Sequence, residues 1–182
     1  MRELILGGVR SGKSSLAERL ALDSGLAVTY IATARADDDE MRERIRHHRA
    51  RRPADWDLVE AGGDLAAVLA ARAAADRCLL VDCLTLWLTG LLLAEDDDDQ
   101  RLAAETAALL ELLPTLPGRL IMVGNETGLG VVPMGAMTRR FCDESGRLHQ
   151  QLAAACDRVI LTVAGLPHVL KGDNPVPAAK EC

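Results

Sequence analysis

Short apolar runs recur along the chain, and segments of helical periodicity fill the stretches between them. Runs of this length, rich in Leu, Ile and Val and separated by helical segments, are typical of the strands of βαβ units. Such units place their strands in parallel and their helices on the faces of the sheet, so the pattern predicts an α/β fold. The strand candidates are Glu3–Leu6, Ala27–Ala32, Cys78–Val81, Arg119–Val123 and Arg158–Val163, with a weaker one at Trp56–Glu60.

Length and composition indicate one domain. The 182 residues, 49% of them hydrophobic, suffice for a sizeable core. Aromatic residues make up only 2%, so Leu, Ala and Val are expected to build that core. The chain shows no repeat and no long linker. We therefore expect a single domain over residues 1–172, followed by a loose C-terminal tail over residues 173–182.

Net charge and cysteine content indicate which binding partners and which cellular compartment to expect for the protein. The formal net charge of −6 and the lack of a basic tail argue against nucleic acid as a partner. The five cysteines form no C-x-x-C pair, and no secretory signal precedes the first strand, so we expect reduced thiols in the cytoplasm. The apolar run around Trp87–Leu93 is far shorter than the roughly 20 residues of a membrane-spanning helix, so no membrane span is expected.

A glycine-rich loop joins the first strand to a helix-like segment. The sequence there fits G-x-x-x-x-G-K-[ST], with the strand and helix flanks that the motif requires, and a chance glycine turn rarely matches all of these. The matching residues are Gly7, Gly8, Val9, Arg10, Ser11, Gly12, Lys13 and Ser14. In this motif the backbone N–H groups wrap a nucleotide polyphosphate, Lys13 adds charge near the β- and γ-phosphates, and Ser14 is the expected Mg²⁺ ligand.

Asp82 follows the apolar run Leu79–Val81. The carboxyl end of a buried strand is where a P-loop fold holds a carboxylate that binds Mg²⁺ directly or through water. The simpler alternative is that Asp82 caps the helix that follows it. The P-loop elsewhere in the chain favours the metal role.

Residues 37–53 predict a strongly charged helix, with acidic residues at its start, arginines towards its end and a terminal proline. Its six arginines exceed what the helix dipole requires. His48 shares one face with Met41 and Ile45, which favours packing, whereas His47 lies among charged residues. Spacing alone favours a solvated surface helix over a functional one.

The P-loop is the first of eight segments that together resemble one known family. The others are Tyr30–Ala34, Asp38–Met41 with Arg44–His48, Arg52-Pro53 with Trp56, Val81–Trp87, Asn125–Pro133, Gly146–Gln150 and Ala164–Pro167. In this order, and across nearly the whole chain, they resemble the bifunctional adenosylcobinamide kinase and adenosylcobinamide-phosphate guanylyltransferase of cobalamin biosynthesis. A P-loop alone would be weak evidence for this family, but eight ordered segments are strong evidence.

The resemblance implies two reactions. The first phosphorylates the aminopropanol hydroxyl of adenosylcobinamide with ATP or GTP. The second transfers GMP from GTP to adenosylcobinamide phosphate and releases pyrophosphate, with His47 carrying GMP as a covalent intermediate. The resemblance also implies a RecA-like, mostly parallel sheet and a homotrimer. The implied GTP contacts are the P-loop residues with Ala32, Thr33, Ala34, His48, Arg49, Ala50, Arg51, Glu60 and Asp82.

Elementary chemistry agrees with a nucleophilic His47. A neutral imidazole nitrogen can attack the α-phosphorus, and the neighbouring arginines disfavour the imidazolium form while offering forked donors to phosphate oxygens. Guanine preference, in contrast, has no support beyond the resemblance, because the Asn-Lys-x-Asp signature of switch GTPases is absent.

Three positions depart from the family pattern, and two rival functions remain open. Gly90 stands where Asn is usual, Thr127 where an aliphatic residue is common, and Cys142 where Arg is common. These departures bear on substrate affinity and leave the P-loop and His47 untouched. A P-loop small-molecule kinase without the covalent step would explain Lys13 and the loop equally well. A nucleotide-switch binding protein would also use the loop, although it should carry a base-reading motif.

Overall fold

The computed structural model describes residues 1–33, 53–94 and 99–175. Almost all of the charged helix predicted over residues 37–53 lies outside these ranges, so that helix stays a prediction. The division between a domain ending at residue 172 and a loose tail is likewise not tested, since residues 176–182 also lie outside.

Seven strands form one sheet in the order β3-β2-β4-β5-β1-β6-β7. They are β1 (Arg2–Gly7), β2 (Ala27–Ala32), β3 (Asp57–Glu60), β4 (Arg77–Asp82), β5 (Arg119–Asn125), β6 (Arg158–Val163) and β7 (Leu166–Lys171). All neighbouring strands are parallel except β6 and β7. The prediction of a mostly parallel sheet within an α/β fold is confirmed.

Five α-helices lie in the described ranges. They are α1 (Lys13–Leu22), α2 (Leu65–Arg72), α3 (Leu84–Leu92), α4 (Asp99–Leu112) and α5 (Ala136–Ala155), with a 3₁₀ turn at Leu113–Thr115. Helix α1 packs on one face of the sheet, through Leu16, Ala17 and Leu20, and α2 to α5 contribute their apolar residues to the core on the other face. None of these five helices is both long and apolar enough to cross a lipid bilayer.

Aliphatic side chains dominate both halves of the core, as the composition predicts. The large exception is Trp87, which is fully buried on α3 and donates its indole N–H to the carbonyl oxygen of Gly63 at 2.9 Å. Cys78 and Cys83 are also buried, and burial raises the pKa of each thiol to about 11. They pack as small apolar side chains, as free cysteines commonly do.

Strand β7 is the element that the hydrophobic pattern did not predict. It pairs antiparallel with β6 through a two-residue turn, Ala164-Gly165, in which both residues have positive φ (51° and 80°). Positive φ at both central residues is what a type I′ hairpin turn requires. The strand is mostly exposed and contains Pro167, which suits the edge of the sheet and weakens the apolar signal.

A buried ion cluster lies at the amino edge of the sheet. The fully buried carboxylate of Glu3 accepts from Nε of Arg119 at 2.5 Å and from Nε of Arg158 at 2.7 Å. These arginines are the first residues of β5 and β6, the two strands that flank β1. The cluster therefore ties three strands together at the edge opposite their carboxyl ends.

Candidate nucleotide site at the carboxyl edge of the sheet

The glycine-rich loop adopts the predicted strand-loop-helix arrangement. β1 ends at Gly7, and α1 begins at Lys13 with Gly12 as its N-cap at φ 93°. A Cβ on Gly7 would lie 2.6 Å from the carbonyl oxygen of Thr162, and a Cβ on Gly12 would lie 3.1 Å from Cα of Gly165. Close packing therefore excludes a side chain at Gly7. At Gly12 both close packing and the positive φ favour glycine.

Lys13 is nine-tenths buried, and its Nζ donates a hydrogen bond to the carbonyl oxygen of Gly8 at 3.1 Å. Burial lowers the pKa of Lys13, and the negative charge of Asp82 acts in the opposite direction. A buried cation whose hydrogen-bond partner among the described residues is a neutral carbonyl is well suited to a phosphate, because the phosphate would supply a counter-charge.

Asp82 is the last residue of β4, and its Oδ2 accepts from the hydroxyl of Tyr30 at 3.1 Å. Helix α3 begins at Leu84 with Cys83 at the N-cap position and no side-chain cap. The alternative in which Asp82 caps this helix is therefore wrong. Its carboxylate, two strands from the loop, stays available as a ligand.

A hydroxyl and a carboxylate suit Mg²⁺, which typically uses one or two protein oxygens together with phosphate and water. Ser14 is the second residue of α1 and partly exposed, and Asp82 is partly exposed at the same edge of the sheet. No group of three or more His, Cys, Asp or Glu side chains converges as a metal site within the described ranges. The Ser14 hydroxyl and the Asp82 carboxylate are oxygen donors of the kind that would fit a cation shared with a nucleotide, which needs few protein ligands.

The other predicted contacts at this edge come from β2 and β3. Ala32, the last residue of β2, pairs with Asp82 on one side and with Glu60, the exposed last residue of β3, on the other. Thr33 is buried, and its hydroxyl donates to the carbonyl oxygen of Cys83 at 2.6 Å and accepts from the Cys83 N–H at 2.8 Å. Thr33 therefore joins the ends of β2 and β4.

The structure brings the P-loop, Ala32, Thr33, Glu60 and Asp82 to one edge of the sheet. The remaining predicted site residues lie outside the described ranges, and their roles stay predictions. They are Ala34, His47, His48, Arg49, Ala50 and Arg51.

Three buried oxygen atoms beside the loop have no hydrogen-bond partner among the described residues. They are Oγ of Ser11, Oδ1 of Asn125 and Oγ1 of Thr162. Asn125 and Thr162 each pair with Gly7 in the neighbouring strands. Thr162 was not predicted as a site residue, although a threonine inside the apolar run Val159–Val163 is a usable signal. Unpaired buried oxygens indicate groups that a ligand or water satisfies.

The chain leaves β5 at Asn125 and stays hydrogen-bonded to the end of β1. The N–H of Glu126 donates to the carbonyl oxygen of Gly7 at 3.0 Å, and the N–H of Asn125 donates to the Thr85 hydroxyl at 2.7 Å. Oε2 of Glu126 lies 3.8 Å from Nδ1 of His149, a buried residue of α5. Burial lowers the pKa of His149, and Glu126 acts in the opposite direction.

All three departures from the family pattern, Gly90, Thr127 and Cys142, lie within the described ranges. Gly90 is exposed on α3, and a Cβ there would meet no atom within 4 Å. Sγ of Cys142 lies 3.9 Å from the carbonyl oxygen of the exposed Thr127. The structure gives no reason for Gly90 over a larger residue.

Fold and site together define a P-loop nucleotide-binding protein. Solved structures of similar architecture support the fold. The RadB recombinase aligns with a TM-score of 0.52 at 17% identity, over 88% of this chain and 73% of that chain. The ATPase EscN of the enteropathogenic E. coli type III secretion system aligns with a TM-score of 0.54 at 15% identity, over 90% of this chain and 43% of that chain.

Sequence comparison narrows this class to a single family. A family model described as cobinamide kinase / cobinamide phosphate guanyltransferase, CobU, matches residues 3–170. The bifunctional adenosylcobalamin biosynthesis protein CobP of Pseudomonas aeruginosa is 65% identical, over 95% of this chain and 99% of the relative. CobU of Salmonella typhimurium is 40% identical, over 91% of this chain and 97% of the relative. The chain belongs to the CobU family.

Proposed function

We propose that this protein is a bifunctional transferase that phosphorylates adenosylcobinamide with ATP or GTP. It then transfers GMP from GTP to adenosylcobinamide phosphate, giving adenosylcobinamide-GDP and pyrophosphate. The observation that carries the proposal is the family match over residues 3–170, on a chain whose P-loop has its full strand-loop-helix geometry.

In the phosphorylation step the loop positions the nucleotide and stabilises charge. The backbone N–H groups of the loop and the amino end of α1 bind the phosphates, and Lys13 stabilises negative charge as the γ-phosphoryl group is transferred. Ser14 and Asp82 would hold Mg²⁺, which neutralises phosphate charge when bound. Phosphoryl transfer relies mainly on such positioning and electrostatics, so these side chains can serve both half-reactions.

In the guanylylation step His47 is the proposed nucleophile, and its neutral imidazole attacks the α-phosphorus of GTP. The arginines of residues 42–52 stabilise the charge on the phosphates. The support for this role is the family match over residues 3–170, together with the arginine-rich sequence around His47.

Oligomeric state and cellular location follow from the same proposal. We propose a homotrimer, which rests on resemblance to the family, and a cytoplasmic location. The four cysteines in the described ranges, Cys78, Cys83, Cys142 and Cys156, are free thiols, which supports a reducing compartment. Sedimentation equilibrium of the purified protein tests the trimer.

Label transfer tests the covalent step. GTP labelled at the α-phosphate should leave acid-labile, base-stable label on the protein through a phosphorus–nitrogen bond, whereas γ-labelled GTP should leave none. His47→Asn should abolish labelling and spare much of the kinase step, and the matched variant His48→Asn should still label. Label lost only in His48→Asn would move the nucleophile to His48.

Product analysis tests the two reactions as a whole. Incubation with adenosylcobinamide and GTP, followed by mass spectrometry of the corrinoids, should show adenosylcobinamide phosphate and then adenosylcobinamide-GDP. If only adenosylcobinamide phosphate accumulates and the protein carries no label, the protein is a P-loop kinase without the covalent guanylyl step. Failure to convert adenosylcobinamide at all would remove the proposed function.

A further inference from the structure

Glu126 is the first residue after β5 and lies next to the start of the P-loop. β5 and β1 are neighbouring parallel strands, and Asn125 pairs with Gly7. The N–H of Glu126 then bonds to the carbonyl oxygen of Gly7 at 3.0 Å. Because neighbouring strands are about 4.8 Å apart, Glu126 is placed one strand from the loop that receives the phosphates.

The carboxylate of Glu126 is held in place and remains partly open to solvent. Oε1 accepts from the N–H of Gly128 at 2.7 Å, Oε2 lies 3.8 Å from Nδ1 of His149, and the side chain is 21% exposed. His149 is itself confined, since a Cβ on Gly124 would lie only 2.8 Å from its Nε2. A fixed and partly exposed carboxylate is suited to act as a general base.

Other carboxylates at this edge are less well placed to meet the terminal phosphate. Asp82 ends β4, two strands from β1, and Glu60 ends β3, four strands away. At about 4.8 Å per strand these lie roughly 10 Å and 19 Å to the side of β1. Asp82 also accepts a hydrogen bond from Tyr30 and fits the cation site. Of the three described carboxylates Glu126, Asp82 and Glu60, only Glu126 directly follows a strand that flanks β1. It is also held by a backbone N–H group and partly exposed beside the loop.

We propose that Glu126 is the general base of the phosphorylation step, an inference that rests on the function proposed above. As the alcohol oxygen of the acceptor forms its bond to the γ-phosphorus, the bond from that phosphorus to the β,γ-bridging oxygen breaks. The electron pair of the broken bond leaves with the nucleoside diphosphate. The hydroxyl proton passes to the Glu126 carboxylate and from there to solvent.

The two half-reactions differ in their need for this base. An alcohol must lose its proton during phosphoryl transfer. In guanylyl transfer the attacking group is the phosphate of adenosylcobinamide phosphate, which is already ionised near neutral pH. Loss of the carboxylate should therefore slow phosphorylation and spare guanylyl transfer, a split that damage to the shared nucleotide site would not produce.

The test measures each step separately in wild type, Glu126→Gln, Glu126→Asp and the control Glu144→Gln. Glu144 is a partly buried carboxylate of α5 that pairs with Arg147. Phosphorylation is followed with γ-labelled ATP or GTP and adenosylcobinamide, and guanylyl transfer with α-labelled GTP and adenosylcobinamide phosphate. Glu126→Gln should lower the phosphorylation rate about 10²- to 10⁴-fold, with guanylyl transfer within about threefold of wild type. Glu126→Asp should recover part of the loss, and Glu144→Gln should match wild type.

Three outcomes overturn the assignment. Phosphorylation by Glu126→Gln at near wild-type rate would show that no base acts there. An equal fall in both steps, or a loss of thermal stability that accounts for the fall, would make Glu126 a structural part of the loop. Failure of the wild-type protein to phosphorylate adenosylcobinamide would instead remove the proposed function, and this role with it.

Discussion

Nζ of Lys13 donates a hydrogen bond to the carbonyl oxygen of Gly8 at 3.1 Å, so the ammonium group bends back over its own loop. The side chain is nine-tenths buried, and that burial lowers its pKa. A nucleotide phosphate offers this cation a charged partner in place of a neutral carbonyl, and charged hydrogen bonds are the stronger kind. The loop is thus arranged to favour the bound nucleotide.

Replacement of Lys13 by Ala should cripple both half-reactions, because each transfers a group from a triphosphate held in the same loop. Loss of one charge-stabilising donor at a transferred group lowers rates by about 10²-fold or more. The measurement is the rate of each half-reaction at saturating nucleotide. Arg19→Ala, which removes an exposed cation from the same helix, is the matched control. A normal rate for either step in Lys13→Ala would contradict the shared role.

Asp82→Asn should raise the Mg²⁺ concentration needed for half-maximal turnover and lower the maximal rate. The change is nearly isosteric, and the amide oxygen can still accept from Tyr30, so the fold should survive while the ligand charge is lost. A Mg²⁺ titration of both reactions measures the effect. Asp57→Asn serves as control, since Asp57 pairs with Arg77 on the surface at the start of β3. An unchanged Mg²⁺ response would remove Asp82 from the cation site.

Glu3→Gln should destabilise the domain strongly. The fully buried carboxylate is the shared acceptor of Arg119 and Arg158, and its loss leaves two guanidinium groups without their counter-charge. Breaking a buried ion pair from one side costs about 3–5 kcal/mol. Urea unfolding measures the change in free energy, and Glu111→Gln, which changes an exposed carboxylate of α4, should shift it by no more than about 0.5 kcal/mol. Equal effects of the two variants would refute the structural role of the cluster.

His149 should make the domain less stable in mild acid. Because burial holds its pKa below the usual value, the unfolded chain takes up a proton below about pH 6.5 that the folded state resists. The free energy of unfolding therefore falls as the pH falls through this range, and His149 contributes nothing to the pH dependence above it. His149→Gln should remove this contribution, which is at most about 1.4 kcal/mol between about pH 6.5 and 5.5.

Urea unfolding at about pH 7.5 and 5.5 measures the difference in stability for wild type and variant. The exposed His168 of β7 offers a matched control, because His168→Gln removes an imidazole from the surface. The pH dependence of His168→Gln should follow that of wild type. A pH dependence in His149→Gln equal to that of wild type would assign the acid sensitivity to other groups.

The sequence by itself determined the features that depend on neighbouring residues along the chain. The run Glu3–Leu6 predicts a strand, and β1 spans Arg2–Gly7. The loop that follows is recognised because its glycines, Lys13 and Ser14 must stand at set spacings to wrap a phosphate. The position of Asp82 at a strand end is local in the same way, since the apolar run before it marks where the strand stops.

The tertiary structure decided what depends on contacts between distant residues. Strand β7 is held by its pairing with β6, and its own alternation of side chains is too weak to indicate a strand. In the sequence Glu3 is an ordinary charged residue. Its buried role depends on two arginines, 116 and 155 residues away, that the fold brings into contact with it. Glu126 meets Gly7 only because β5 and β1 are adjacent in the sheet. The order of strands in the sheet depends on how the helices and the sheet pack together. This packing brings together residues that are far apart in the sequence, so no local sequence pattern predicts their contacts.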